Sequence, residues 1–158
     1  MRITERLFAA FACCKYKAQL LHDDETGAIS EYAQFESDLD NRFREESLRT
    51  LAQYNAAHQT VYSPSSLDDA IRRGYGLIVK PSVTHGDFSV AFEALERVRG
   101  DQTPNRFAYT PLVLLHREKL TLRDKLLVGF HALVLSDIYR MQVPSGRMTP
   151  GSNITIAK

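Results

Sequence analysis

One stretch, residues 107–141 (FAYTPLVLLHREKLTLRDKLLVGFHALVLSDIYRM), most constrains the fold of this 158-residue chain. Residues 107–115 are apolar enough to predict a central β-strand. The charged residues 116–119 interrupt the stretch, and leucine-rich sequence resumes after Thr121. Thr121 and Asp124 have the spacing of a capping box, in which each side chain bonds the backbone N–H of the other residue. The stretch therefore predicts a strand, a turn and a long helix.

The long helix is predicted to bury a wide apolar stripe and to lie across a sheet. The stripe consists of Leu122, Leu126, Leu127, Phe130, Leu133, Val134 and Ile138.

Helices dominate the prediction for the first half of the chain. Thr4, Ser30 and Ser66 are placed to cap three of them, because a hydroxyl oxygen can accept a hydrogen bond from an unpaired backbone N–H. A first helix is predicted by the helical spacing of Leu7, Phe8, Phe11 and Cys14. A short helical turn is predicted after it over residues 18–21. After Ser30, a long amphipathic helix is predicted by the inner stripe Tyr32, Phe35, Leu39, Phe43, Leu48, Leu51 and Tyr54.

The remaining segments predict a sheet. Strands are expected at residues 75–83, 88–98, 107–115 and 153–157, with a short extended piece at residues 60–62 inside a connection and turns at residues 85–87 and 100–105. This order predicts one α+β (mixed α/β) domain over residues 1–158. It has N-terminal helices and a central, mostly antiparallel sheet of three to four strands, crossed by the long C-terminal helix.

Composition bounds the class of protein. Hydrophobic residues make up 44% and charged residues 25%, as in ordinary globular domains. No uncharged apolar run approaches the roughly 20 residues of a membrane span, and no signal-peptide core follows Met1, so we expect a cytoplasmic protein without membrane contact. Net charge is +1, but residues 101–158 hold 8 basic and 4 acidic residues. A weakly basic C-terminal surface could meet phosphate, although ordinary solvated charges explain the same numbers.

Cys13 and Cys14 are adjacent and are expected to be core or near-core thiols. Two thiols cannot form a four-thiolate cluster, so an iron–sulfur cluster is not expected.

Basic and aromatic residues mark the candidate nucleic-acid contacts. Lysines can pair with phosphates, and a tyrosine can stack on a base. We predict such contacts at Lys15, Tyr16, Lys17, Arg123 and Lys125, although a solvated helix edge accounts equally well for them.

Four stretches, in order, resemble the N-terminal part of a RecB-like nuclease family of the PD-(D/E)XK superfamily, which is related to CRISPR-adaptation nucleases. They are residues 3–21, 32–52, 94–98 and 109–138, and the segment Cys14-Lys15-Tyr16-Lys17-Ala18 matches the family's cysteine followed by a basic and aromatic cluster. The resemblance implies a phosphodiesterase fold that uses Mg²⁺ or Mn²⁺ held by carboxylates, with a supporting lysine.

Carried onto this sequence, the resemblance implies metal ligands at Glu36 on the long helix and at Glu93 and Glu96 on the returning strand. Surface charge is the alternative interpretation of all three. Glu93 and Glu96 are also candidate catalytic residues, together with Lys119 and His116. A lone histidine at the end of a strand is, however, more often a turn residue. The lone histidines His22, His58, His85 and His131 show no ligand spacing.

Several family positions depart from the pattern. The D/E-x-K place holds Leu114-Leu115-His116, and residues 118 and 119 are adjacent, so they cannot share one face of a strand. The Q-x-x-x-Y place holds residues 126–130, which are apolar or glycine, and the C-terminal cysteine trio is missing. We therefore expect a shortened relative, or a piece that ends early, with a degenerate active site.

Two functions follow as hypotheses. The first is a RecB-like nuclease-fold protein in DNA processing or defence, which would hydrolyse phosphodiesters with a metal if it is active. The second is a catalytically inactive DNA-binding or scaffold subunit of a DNA-processing complex. Single-stranded or duplex DNA ends, a protein partner or a second copy are the expected partners.

Overall fold

The protein is described from a computed structural model, which covers residues 2–25, 27–55, 59–103, 106–117, 119–139, 143 and 146–150. The helices in these residues are α1 (Glu5–Cys13), α2 (Lys15–His22), α3 (Glu31–Tyr54), α4 (Leu67–Arg73) and α5 (Leu122–Tyr139). The strands are β1 (Ile3–Thr4), β2 (Thr60–Tyr62), β3 (Leu77–Val79), β4 (Ser82–His85), β5 (Phe88–Ala91), β6 (Ala94–Thr103), β7 (Arg106–Leu115) and β8 (Arg147–Pro150).

The strands form two sheets. The larger has the order β2-β3-β6-β7-β8, in which β3, β6 and β7 are antiparallel neighbours while β2 and β8 run parallel to theirs. The smaller has the order β1-β5-β4. The α+β class is confirmed, but the prediction of one sheet with three to four strands was wrong, because the described residues form a five-stranded and a three-stranded sheet.

One hairpin belongs to both sheets. The strands predicted at residues 75–83 and 88–98 are each broken, and the breaks face each other. Lys80 has a positive φ of 50°, which ends β3. Its N–H donates to Glu93 O, and Phe92 N–H donates to Pro81 O, so the two arms stay paired through the bend. Beyond it, β4 and β5 continue as the smaller sheet, with Gly86 in the predicted turn at φ 54°.

Two other segments differ from the prediction. The turn expected at residues 100–105 is in part strand, since β6 continues to Thr103 and pairs with β7 after a register shift. The parallel strand β8 was not predicted. The strand expected at residues 153–157 lies outside the described residues, as do Glu118 and His58.

The predicted caps are confirmed. The hydroxyls of Thr4, Ser30 and Ser66 accept hydrogen bonds from backbone N–H groups three residues later, at 3.1–3.2 Å. At the start of α5, Thr121 N–H donates to Asp124 Oδ2 at 2.8 Å, and Asp124 N–H donates to Thr121 Oγ1 at 3.3 Å. These reciprocal bonds satisfy donors that the first helical turn leaves unpaired.

Helices cover both faces of the larger sheet. The C-terminal half of α3 packs on one face, where its Leu48 and Leu51 meet Leu112 and Leu114 of β7. On the other face, α5 packs with α1 and α4 over a cluster that contains Ile78, Leu95, Phe130 and Val134. Because successive side chains of β7 point to opposite faces, Val113 and Leu115 pack against α5 instead.

Both long helices depart from their predicted core stripes. In α5, Leu122, Leu126 and Leu133 are exposed, whereas His131 and Leu135, which lay outside the predicted stripe, are buried. In α3, the predicted inner residues Tyr32, Phe35 and Tyr54 are exposed. Residues 31–38 at the start of α3 are all exposed, so this segment, which we call the projecting half, contributes no side chain to the core.

Candidate functional site

The first candidate site lies where β6 begins beside the end of β7. Glu93 immediately precedes β6, and its carboxylate accepts a hydrogen bond from Leu114 N–H of β7. Arg44 of α3 places Nε 2.8 Å from Glu93 Oε1, which makes a close ion pair without the alignment of a hydrogen bond. Both carboxylate oxygens of Glu93 are therefore engaged by groups of the protein itself.

Burial dominates the electrostatics of Glu93. It raises the pKa of the carboxyl above its usual value, and the nearby Glu5 carboxylate raises it further. The Leu114 hydrogen bond, the Arg44 charge and His131 act in the opposite direction, but they do not outweigh burial. A carboxyl in this setting takes up a proton more readily than a surface glutamate.

The other two predicted metal ligands lie elsewhere. Glu96 accepts a hydrogen bond from Arg147 of β8 at 2.8 Å. Glu36 is exposed on the projecting half of α3 and accepts a hydrogen bond from Tyr32 Oη at 2.8 Å. It precedes Arg44 by two turns of helix, roughly 12 Å along the axis. The structure does not bring Glu36, Glu93 and Glu96 together.

The three predicted ligands of Mg²⁺ or Mn²⁺ therefore lie at separate points of the structure. Within the described ranges, no group of three or more His, Cys, Asp or Glu side chains is placed to hold a metal ion. Such ions need several free oxygen ligands at one point, whereas each predicted ligand already accepts a bond from a different protein group.

His116 and Lys119 follow β7 and are both exposed. The ring of His116 contacts Phe43 of α3 edge-on, with the centroids 5.6 Å apart. This aromatic contact favours the interpretation of His116 as a turn residue.

Sequence reasoning missed Glu5 and His131. His131 is buried in α5, its ring lies edge-on to Phe92 at 5.3 Å, and Glu5 Oε2 of α1 lies 3.6 Å from its Nε2. Among the described residues, neither ring nitrogen of His131 has a hydrogen-bond partner. A lone histidine within a leucine-rich helix carries no sequence signal of this contact, because Glu5 lies at the other end of the chain.

A second candidate site is the basic and aromatic group at the junction of α1 and α2, which we call the α2 patch and define as Phe11, Lys15, Tyr16 and Lys17. All four side chains are exposed, Phe11 by 55% and Tyr16 by 70%. Lys15 Nζ lies 6.0 Å from the centroid of the Phe11 ring, within the range of a cation–π contact.

An apolar groove adjoins the α2 patch. Its cavity volume is about 440 Å³, and its lining includes Ile3, Leu7, Phe8 and Ala18 as well as Phe11 and Lys15.

The neighbouring cysteines and the remaining basic candidates are also at the surface. Cys13 and Cys14 are exposed free thiols, so the prediction that they belong to the core was wrong. The α1–α2 junction leaves them outside, because α1 ends at Cys13 and Cys14 is extended. Arg123 and Lys125 are exposed in the first turn of α5.

No family model matches the chain, and no curated protein matches it at a significant level. The described residues include no helix with the length and hydrophobicity needed to cross a membrane.

Proposed function

We propose that this chain is a RecB-like, nuclease-fold protein that works in DNA processing or defence as a catalytically inactive DNA-binding or scaffold subunit. The sequence resemblance supports the nuclease type. The mixed sheet under α5, whose three central strands are antiparallel, is compatible with it. A cytoplasmic location is part of the proposal.

DNA binding rests on one observation, the exposure of the α2 patch. Large aromatic side chains cost free energy when they face water, and here two of them stand beside two lysines. This combination suits single-stranded DNA, because the lysines can pair with phosphates while the rings stack on bases of any sequence. DNA strand ends with unpaired bases are the ligands that fit this chemistry.

The contacts of Glu93 support the inactive form. A carboxylate that activates water through a metal must present free oxygens, and those of Glu93 meet Arg44 and the Leu114 N–H. The same contacts connect α3, β6 and β7, so in this proposal Glu93 holds the domain together.

Metal-dependent cleavage is a second candidate function, and one observation favours it. Glu93 is a partly buried carboxyl beside the end of β7, near where the resemblance places a catalytic acid, and its pKa is raised. Perturbed carboxyls of this kind occur at active sites as well as in structural ion pairs.

Fluorescence anisotropy with labelled single-stranded DNA tests the proposal. We expect the double variant Lys15→Ala/Lys17→Ala to raise the Kd about tenfold and to lower the slope of log K against log salt by about 1.4, since each single-strand phosphate contact contributes about 0.7. Tyr16→Ala should weaken binding and Tyr16→Phe should preserve it, because stacking needs only the ring. The control Arg42→Ala/Arg73→Ala removes the same charge from exposed sites on α3 and α4.

Equal losses for both double variants, or no binding at low salt, would contradict the DNA-binding proposal. Incubation of the DNA with the protein and Mn²⁺ should leave the DNA intact. Cleavage that a chelator stops and that Glu93→Gln abolishes would instead establish the second candidate.

A further inference from the structure

The outer face of α5 carries leucines where a surface helix normally carries charge. Leu122, Leu126 and Leu133 are 72%, 41% and 58% exposed. Their spacing of four and seven residues places them on one side of the helix, with Gly129 between them. Nothing lies within 4 Å of the position that a Cβ of Gly129 would occupy. We call this surface, formed by Leu122, Leu126, Gly129 and Leu133, the α5 ridge.

A helix that is apolar on all sides is usually buried on all sides. The inner side of α5 meets that expectation, since it packs on the sheet and on α1. The α5 ridge has the spacing of a helix–helix seam, because its residues, Gly129 included, recur at intervals of four, three and four and can interleave with a facing helix. Its glycine removes the side chain that would otherwise hold the two backbones apart. The ridge is therefore suited to a second helix.

The charges beside the ridge identify that helix as a second α5. Within α5, the exposed charges of the first turn are Arg123 and Lys125, and the exposed charge near the other end is Asp137. An antiparallel pair of α5 helices brings each acidic end to the basic end of its partner, and it also opposes the helix dipoles. A parallel pair would bring like charges together. Asp137 Oδ2 lies 3.7 Å from His85 Nε2, and both side chains are exposed.

We propose that two copies of this chain pair through antiparallel α5 ridges, centred near Gly129. In this arrangement Leu126 of one copy packs beside Leu133 of the other, and the contact closes on itself as a two-fold dimer. The paired ridge extends over residues 122–133, about 17 Å of helix. The leucines alone make a small interface by the standard of stable dimers. The association is therefore weak, and the dimer forms only at higher protein concentration. The pairing does not depend on whether the chain binds DNA.

Sedimentation velocity of the full chain over a range of concentrations tests the pairing. We expect the mass to rise from one chain to two as concentration increases. Leu126→Asp/Leu133→Asp should weaken association at least about a hundredfold, because it removes two leucines and each buried leucine contributes about a factor of ten in affinity. Circular dichroism should show an unchanged fold, since both side chains are already exposed in the monomer. The control Tyr32→Asp/Phe35→Asp removes two exposed apolar side chains from α3 and should leave association unchanged.

Cross-linking tests the orientation, in a background that carries Cys13→Ser and Cys14→Ser. A mixture of Leu126→Cys chains and Leu133→Cys chains should form disulfide-linked dimers, whereas neither variant alone should. In the antiparallel pair, where position 126 of one copy lies beside position 133 of the other, like positions 126 are seven residues or about 10 Å apart along the axis, beyond the reach of a disulfide.

A single-chain mass at all concentrations, or a dimer that survives Leu126→Asp/Leu133→Asp, would overturn the proposal. Cross-linking of Leu126→Cys chains alone, without cross-linking in the mixture, would overturn the antiparallel arrangement.

Discussion

Helices α3 and α5 cover opposite faces of one sheet, yet they show different outer faces. Where α3 packs on the sheet, its outer face mixes acids and bases, and Lys80 of the neighbouring loop pairs with Glu45 there; its exposed aromatic side chains lie towards the two ends of the helix. The outer face of α5 shows leucines. A charged outer face is stable in contact with water, because charged side chains are well solvated and their burial would cost free energy. Exposed leucines are poorly solvated, so this difference between the two helices supports the proposed pairing through α5 and not through α3.

The largest expected effect tests whether the ridge is a true surface of the monomer. Leu135→Ala in α5 and Leu48→Ala in α3 should each lower the free energy of unfolding by about 3 kcal/mol, because both leave cavities in the core. Leu133→Ala, two residues from Leu135, should change it by less than about 0.5 kcal/mol. Urea unfolding of dilute protein measures all three. A loss at Leu133 equal to that at Leu135 would show that the α5 ridge is covered within one chain.

The next effect concerns the ion pair that ties α3 to the sheet. Arg44→Met should destabilise the protein by about 2 kcal/mol at pH 7.5, because it leaves the partly buried Glu93 charge without its ion-pair partner. A group with a raised folded-state pKa contributes stability that is fully present below its unfolded pKa, about 4.3, and is lost as pH rises through the folded-state pKa. The cost of Arg44→Met should therefore shrink as pH falls, because protonation of Glu93 removes the charge that Arg44 compensates.

Thermal melts from pH 5 to pH 8 measure this dependence. In a Glu93→Gln background, Arg44→Met should cost less than about 0.5 kcal/mol and should lose its pH dependence, since no buried charge needs compensation. A pH-independent cost in both backgrounds would mean that Arg44 acts through packing alone.

The smallest expected effect is the loss of stability when the N-terminal cap of α5 or of α3 is removed. Asp124→Ala should cost about 1–2 kcal/mol, because Asp124 caps α5 and pairs with Arg117 at 2.7 Å. Ser30→Ala should cost less than about 0.5 kcal/mol, because the projecting half of α3 can fray without opening the core. Chemical denaturation at pH 7 distinguishes them, and equal costs would indicate that the projecting half is coupled to the core.

Asp124 adds a pH signature with the opposite sign to that of Glu93. Burial alone would raise the pKa of Asp124, but the hydrogen bonds from Thr121 and the Arg117 charge outweigh it and lower the pKa. Its stabilisation is present above the unfolded pKa, about 3.9, and is lost as pH falls through the lowered folded value. The difference between wild type and Asp124→Ala should therefore shrink in acid.

Local chemistry explains what the sequence could predict of the fold. The caps at Thr4, Ser30 and Ser66 depend on neighbours three residues away, and β7 and α5 are marked by their own composition. The break at Lys80 depends instead on how two strands cross from one sheet to the other. A lysine with positive φ gives no advance sign of it.

The wrong core stripe in α5 has a related cause. Leucines occur all around this helix, so periodicity cannot select the buried side, and only the packing of the sheet decides it. The candidate site was predicted less well still. Glu93 was singled out, but its partner Arg44 lies in a distant helix, and nothing in the order of residues distinguishes a carboxylate that binds a cation from one that pairs with an arginine.

Thr4 is the last residue of β1 and also the cap of α1, so one side chain and one backbone unit serve two structures. Removing the first four residues would detach the leading helix from β5 and expose its first turn in one step. Truncation within residues 1–4 should therefore destabilise the protein, and an affinity tag is best separated from Ile3 by a flexible spacer.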